Sequence, residues 1–225
     1  MARVIDLSLP IKPHWRWPVE VERTSDFAKG DLFLTSCITL SLHTGTHVDA
    51  PLHFVPGQAA IADTELEAWM GEAAVIDCSH RGAEEGVMRS DLDAGGQHVR
   101  AEDIVLLRTD WPKKCSYETK EFWAKAPYTT REACEWLAER RVKALGTDYP
   151  PDEVLRLRVT DPHNPRVSDR AEYTTHDVLL SRGILLIEYL TNLHLISRPR
   201  VRLLALPLRI EGVDGSPVRA IAIEE

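Results

Sequence analysis

Residues Ser41 to Phe54 read SLHTGTHVDAPLHF, which sets His43, His47, Asp49 and His53 within eleven positions. Nine histidines in 225 residues leave fewer than one for an average window of that length, and here there are three. Imidazole nitrogens and a carboxylate suit Zn, Mn, Fe or Ni, so the cluster is coherent as a metal site. Its spacing constrains its shape. On a straight strand His43 and His47 would stand about 13 Å apart, too far for two ligands whose bonds to one zinc are near ~2 Å. The chain must therefore bend between them, and Gly45 supplies a residue that can take positive φ, while Pro51 limits any helix. One histidine alone is ordinary surface or core. Three with an acid in one loop would repel and desolvate one another without a cation.

Outward from this loop, strand-length apolar runs occur at Cys37 to Leu42, Ala73 to Cys78, Ile104 to Leu107, Val142 to Leu145, Ile184 to Tyr189, Val201 to Ile210 and Val218 to Ile223. Gly, Pro or Asp punctuates most of the gaps. Helical spacing is clearest from Thr130 to Arg141, where Ala133, Trp136, Leu137 and Arg140 share a face and Thr129 with Glu132 fits a capping box. Further helices are expected near Thr175 to Ser181, Glu65 to Met70 and Tyr117 to Lys125. Many strands and few helices predict an α/β fold with a mixed sheet in one domain, residues 1–225, rather than a doubly wound parallel sheet. No G-x-G-x-x-G follows a strand and no G-x-x-x-x-G-K-[ST] occurs, so a nucleotide cofactor has no support.

Composition removes other classes. The net charge of −8, with no basic run, argues against nucleic acid. No stretch approaches the ~18 apolar residues of a membrane span and no signal peptide opens the chain, which places it in the cytoplasm with no membrane partner. Cys37, Cys78, Cys115 and Cys134 form no C-x-x-C pair and read as reduced thiols, mostly in the core.

The string His43-Thr-Gly-Thr-His47-Val-Asp49-Ala-Pro51-Leu-His53 resembles the H-x-G-T-H-x-D-x-P-x-H signature of the metal-dependent cyclase family, which includes bacterial kynurenine formamidases (arylformamidases) and isatin hydrolases. The likeness extends from Asp6-Leu7-Ser8 through Gly146-Thr147-Asp148 and His176 to Glu188 to Gly215-Ser216-Pro217-Val218-Arg219-Ala220. It implies the swivelling β/β/α fold of that family, with His43, His47 and Asp49 binding a first Zn or Mn ion and Asp49 able to bridge to a second. His176 and Glu188 would complete a binuclear site, and His53 would be the catalytic acid/base. Glu188 also interrupts an apolar run, where an unpaired carboxylate is costly. Trp17, before Pro18, matches the family's substrate-stacking tryptophan, although Trp15 and Trp17 could equally be a dimer contact. The family also closes its site with neighbouring chains, which implies a homo-oligomer, expected as a dimer. One departure concerns Pro151-Asp152-Glu153, where formamidases tend to read Ser-x-Asp. The polar stretch from Pro151 to Thr175 reads as a lid or oligomer contact, and His163 in it as a solvated loop histidine.

These residues imply hydrolysis of a small-molecule amide. A divalent ion lowers the pKa of bound water from ~15.7 toward 7, and a metal-bound hydroxide would attack the carbonyl while His53 moves protons. No serine sits in G-x-S-x-G, so covalent catalysis is the weaker proposal. The leading expectation is an arylformamidase-like enzyme of tryptophan catabolism. The alternatives are an isatin hydrolase-like or lactone-opening enzyme and, from another class, a non-catalytic metal-binding scaffold, against which the retention of His53 speaks.

Overall fold

The aliphatic runs lie side by side. In the computed structural model, which describes residues 2–225, strands β1 (Arg3–Asp6), β2 (Val19–Ser25), β3 (Thr35–Leu40), β4 (His47–Asp49), β5 (Met70–Asp77), β6 (Gly86–Val87) and β7 (Ile104–Arg108) are followed by β8 (Tyr128–Thr129), β9 (Ala144–Thr147), β10 (Leu185–Glu188), β11 (Arg200–Leu204), β12 (Gly215–Pro217) and β13 (Ile221–Glu224). Nine of these form one mixed sheet in the order β1-β13-β11-β5-β7-β9-β10-β4-β12, while β2 pairs with β3 and β6 with β8. The central β5, β7, β9 and β10 run parallel and the flanking pairs are antiparallel.

The parallel strands read as unbroken apolar runs because both of their faces are covered. Along β7, Val105 and Leu107 enter one core cluster and Ile104 and Leu106 the other, as the two-residue period of a strand requires. Helix Arg131–Glu139 covers the first face with Ala133, Trp136 and Leu137. Its N-cap is Thr130, one residue later than the sequence suggests, because Thr130 is extended and its side chain accepts from the Ala133 amide. Arg140 is exposed rather than on the buried face, with its guanidinium over the Trp136 ring at 4.6 Å.

Two other expectations are corrected. Only Cys78 and Cys134 are buried; Cys37 is exposed because β3 belongs to a hairpin that the main sheet does not cover, and Phe27, Leu32 and Phe33 project from that hairpin. The polar stretch after Pro151, where a loop is expected around His163, instead forms helix Val154–Thr160 and the short turns Pro165–Ser168 and Arg170–Glu172. The helix expected near Thr175 is a π-helical turn, His176–Leu180, a form that often marks functional positions. No helix among the described residues is long and apolar enough to cross a membrane.

The Gly146-Thr147-Asp148 motif has a structural explanation. Asp148, fully buried beyond the end of β9, accepts from the Thr109 amide at 3.0 Å, the Thr109 hydroxyl at 2.6 Å and the Asp110 amide at 2.8 Å. It therefore clamps the chain leaving β7 to the chain leaving β9. Asp148→Ala strands the buried Thr109 amide and the half-buried Asp110 amide and should cost about 2–4 kcal/mol, since an unsatisfied donor costs about 1–3 when fully buried and less when water reaches it. Urea denaturation should show this as a lower midpoint at unchanged m-value; a loss below about 1 kcal/mol would contradict the clamp.

Candidate metal centre

The register of three neighbouring strands assembles the centre. Glu188 on β10 lies opposite His47 on β4, and Leu186 opposite Asp49. On the other side of β4, Gly215 lies opposite Asp49. Val48 and Ile187 turn into one core cluster while Leu186 turns into the other, so His47, Asp49 and Glu188 share the face that Leu186 occupies. Before β4 the chain bends through 41–46, with Gly45 at φ 63°, and that bend returns His43 to the same spot. His53 ends the short turn Pro51–His53, and His176 opens the π-turn.

All six of these side chains meet. Asp49 Oδ1 lies 2.8 Å from His43 Nδ1 and 3.4 Å from His47 Nε2, while Asp49 Oδ2 lies 3.7 Å from His176 Nε2. Glu188 approaches His176 Nε2 at 3.3 Å and His47 Nε2 at 3.8 Å. Ligand atoms of Asp49, His53 and His176 also fall within 4.8 Å of one another. Such spacings suit donors that each stand about 2.0–2.2 Å from a shared ion. Trp17 borders the same cavity, about 450 Å³ in volume, together with Arg16, Leu155, Arg158 and Tyr189. Trp17 is mostly buried, edge-on to Trp123 and Tyr189, while Trp15 is 42% exposed. His163 is exposed, away from this cavity.

Two observations test whether a cation fits. Both oxygens of Asp49 and one of Glu188 are buried without any donor among the described residues aligned to hydrogen-bond them, an arrangement that is costly unless a positive ion completes it. The imidazoles, moreover, are tied from behind. His47 Nδ1 donates to the Gly45 carbonyl at 2.9 Å, His43 Nε2 to Asp214 Oδ2 at 2.9 Å and His176 Nδ1 to Asp152 Oδ2. Each outward nitrogen therefore carries hydrogen, and each inward nitrogen offers a lone pair once any proton on it has left, the usual support of a metal-ligating histidine. The residues fit the group.

Asp152 and Asp214 escaped the sequence reading. Nothing local marks them, because they act on histidines 24, 161 and 171 residues away. Their only trace lies in the surrounding motifs: Asp152 sits in the segment that departs from the formamidase pattern, and Asp214 directly precedes Gly215-Ser216-Pro217.

The charges oppose and compensate one another. Burial disfavours the His43 imidazolium, but Asp49 and Asp214 outweigh burial and hold its pKa at about 9. Burial acts likewise on His176, which Asp152 and Glu188 hold at about 10. Glu188 is pushed up to about 8 by burial and by Asp49, and His47 is pushed down to about 4 by burial. Burial works against ionised Asp49 too, yet His47 and His43 keep it below the usual carboxylate range.

Fold and centre together define a mixed-sheet α/β protein with the donor set of a divalent-cation site. The Cyclase family model matches residues 5–153, and the chain belongs to that family. It is similar to the kynurenine formamidase of Bordetella petrii, 33% identical over 218 residues covering 96% of this chain and 88% of the relative. It is also similar to that of Erythrobacter litoralis, 31% identical over 227 residues covering 99% and 94%. Among solved structures, isatin hydrolase A from Ralstonia solanacearum superimposes with a TM-score of 0.79 at 27% identity, covering 100% of this chain and 92% of its own.

At pH 7 the protons held by His43, His176 and Glu188 must leave before those atoms can ligate an ion. Zinc binding should therefore release protons, and affinity should rise with pH from 7 toward 9 by about tenfold per unit for each proton released. Titration calorimetry in two buffers of different ionisation heat measures both; a dissociation constant unchanged between pH 6.5 and 8.5 would contradict this electrostatic account.

Proposed function

We propose that the protein is a metal-dependent hydrolase of a small aryl or acyl amide, acting as an arylformamidase. The observation that carries this reading is the pair of buried acids, Asp49 and Glu188, whose unpaired oxygens face the inward nitrogens of His43, His47 and His176 while His53 stands beside them. The formamidase relatives support the amide as substrate.

In this reading His43, His47 and Asp49 would hold one ion, zinc or manganese, and His176 and Glu188, with Asp49, would complete a place for another. A bound ion supplies Lewis acidity toward a carbonyl oxygen and acidifies water near neutral pH. The chain's own residues do the rest. His53, whose pKa burial lowers, is neutral at pH 7 and can take a proton from the attacking water, then return it to the leaving nitrogen. Trp17, Leu155 and Tyr189 give the cavity an apolar wall against which an aryl ring packs. Arg16 and Arg158 border the same cavity and would meet an anionic substituent.

A second reading, opening of a cyclic amide, is favoured by the full-length superposition on isatin hydrolase A. A panel of N-formylkynurenine, isatin and simple lactones separates the two: the formyl amide should show the highest kcat/KM, and a higher value for isatin would transfer the assignment. A homodimer belongs to the same proposal, motivated by the apolar side chains on the β2–β3 hairpin and by the prevalence of two-fold assembly. Light scattering should return twice the 25.4 kDa chain mass, and a monomer at micromolar concentration would refute it.

His53→Ala should leave the bound metal in place and lower kcat by about 10² to 10⁴, the usual worth of a positioned acid/base. His47→Ala should lose metal and activity together. If His53→Ala strips the ion as fully as His47→Ala does, His53 is a ligand and not the proton-transfer group.

A further inference from the structure

The Asp214 carboxylate sits where strand register delivers it. β12 begins at Gly215, opposite Asp49, and the amide of Ala50 donates to the Asp214 carbonyl at 2.9 Å. Its side chain, 39% exposed at the edge of the centre, then reaches two imidazoles with one oxygen: Oδ2 lies 2.8 Å from His53 Nδ1 and 2.9 Å from His43 Nε2. A carboxylate can only accept, so both nitrogens carry hydrogen. The two rings therefore stand in opposite orientations, His43 with Nδ1 free toward Asp49 and His53 with Nε2 free. Their centroids are 4.1 Å apart. The approach leaves no room for a side chain at the next residue, since a Cβ on Gly215 would meet His43 Cε1 at 2.8 Å.

We propose that Asp214 is a positioning residue for the hydrolysis, holding His53 in the Nδ1–H tautomer so that Nε2 is the nitrogen that takes and returns the proton. This rests on the reading of His53 as the proton-transfer group. Without Asp214 nothing else among the described residues hydrogen-bonds the His53 ring. The ring would then be free to turn and to take the Nε2–H tautomer, which puts hydrogen on the atom that must accept one. An orienting carboxylate of this kind acts through the imidazole and does not itself react. Asp214 also braces His43, but Nδ1 of His43 remains beside Asp49 and His47 when that brace is removed, so the ion should stay.

The test compares zinc-loaded wild type, Asp214→Asn, Asp214→Glu and Ser216→Ala, the last a change on the same strand whose side chain bonds only Leu208 and Pro217. Nitrogen-15 NMR should find His53 as the Nδ1–H tautomer in wild type and shifted toward Nε2–H in Asp214→Asn. With N-formylkynurenine, kcat of Asp214→Asn should fall about 10- to 100-fold while KM stays within about twofold and zinc content stays within a fifth of wild type. Asp214→Glu should recover part of kcat, and Ser216→Ala should match wild type. An unchanged His53 tautomer in Asp214→Asn, or a loss of kcat that only tracks lost zinc, would overturn the proposal. Should wild type hydrolyse no amide or lactam in the panel, the enzymatic reading fails, and the tautomer measurement still decides whether Asp214 orients His53.

Discussion

The carboxylate of Asp49 is the constraint around which the rest is arranged. It is fully buried and ionised, and neither oxygen meets an aligned hydrogen-bond donor among the described residues. An uncompensated charge of that kind is among the most expensive groups a protein interior can hold. It persists because three strands and two turns converge positive or cation-binding groups on it. β4 sits between β10 and β12, so one partner brings Glu188 to its face and the other brings Asp214 to its edge. The bend at Gly45 and the π-turn at His176 deliver His43 and His176, and the turn Pro51–His53 sets His53 beside them. None of these groups lies on a continuous element with another except His47 and Asp49, so the centre is a property of the folded sheet.

The backs of the histidines explain why the site tolerates so much charge. Asp152, Asp214 and the Gly45 carbonyl each accept from a ring nitrogen that points away from Asp49. These acceptors raise the basicity of the inward nitrogens and fix their direction. Asp152 also accepts from the Thr175 amide, which ties the start of the π-turn to the chain following β9. The acid that orients His176 therefore also holds the turn carrying it, so site geometry and local fold are one hydrogen-bonded unit.

What was legible in the sequence divides along range of interaction. The crowding of His43, His47, Asp49 and His53 is local, and Glu188 betrays itself by breaking an apolar run, so these could be read from residue chemistry. The parallel strands were legible because burial on both faces leaves them uniformly aliphatic. His176 and Trp17 were reached only through resemblance to a family. Asp152 and Asp214 were not reached, because an acid in a polar segment looks solvated until the register of β4, β10 and β12 is known. The run Cys37 to Leu42 marked β3, but its partner β2 escaped for the converse reason: with only Val19 reaching the core, it carries no alternation of buried and exposed residues.

In the proposed function a divalent cation is the partner of the unpaired Asp49 and Glu188 oxygens. Crystals of zinc-loaded protein, measured on both sides of the zinc absorption edge, test it most directly. An anomalous peak bonded to Asp49, with His43 Nδ1 and His47 Nε2 at about 2.0–2.1 Å, is expected. An anomalous map without a peak at Asp49, or with zinc held only by surface residues, would contradict it.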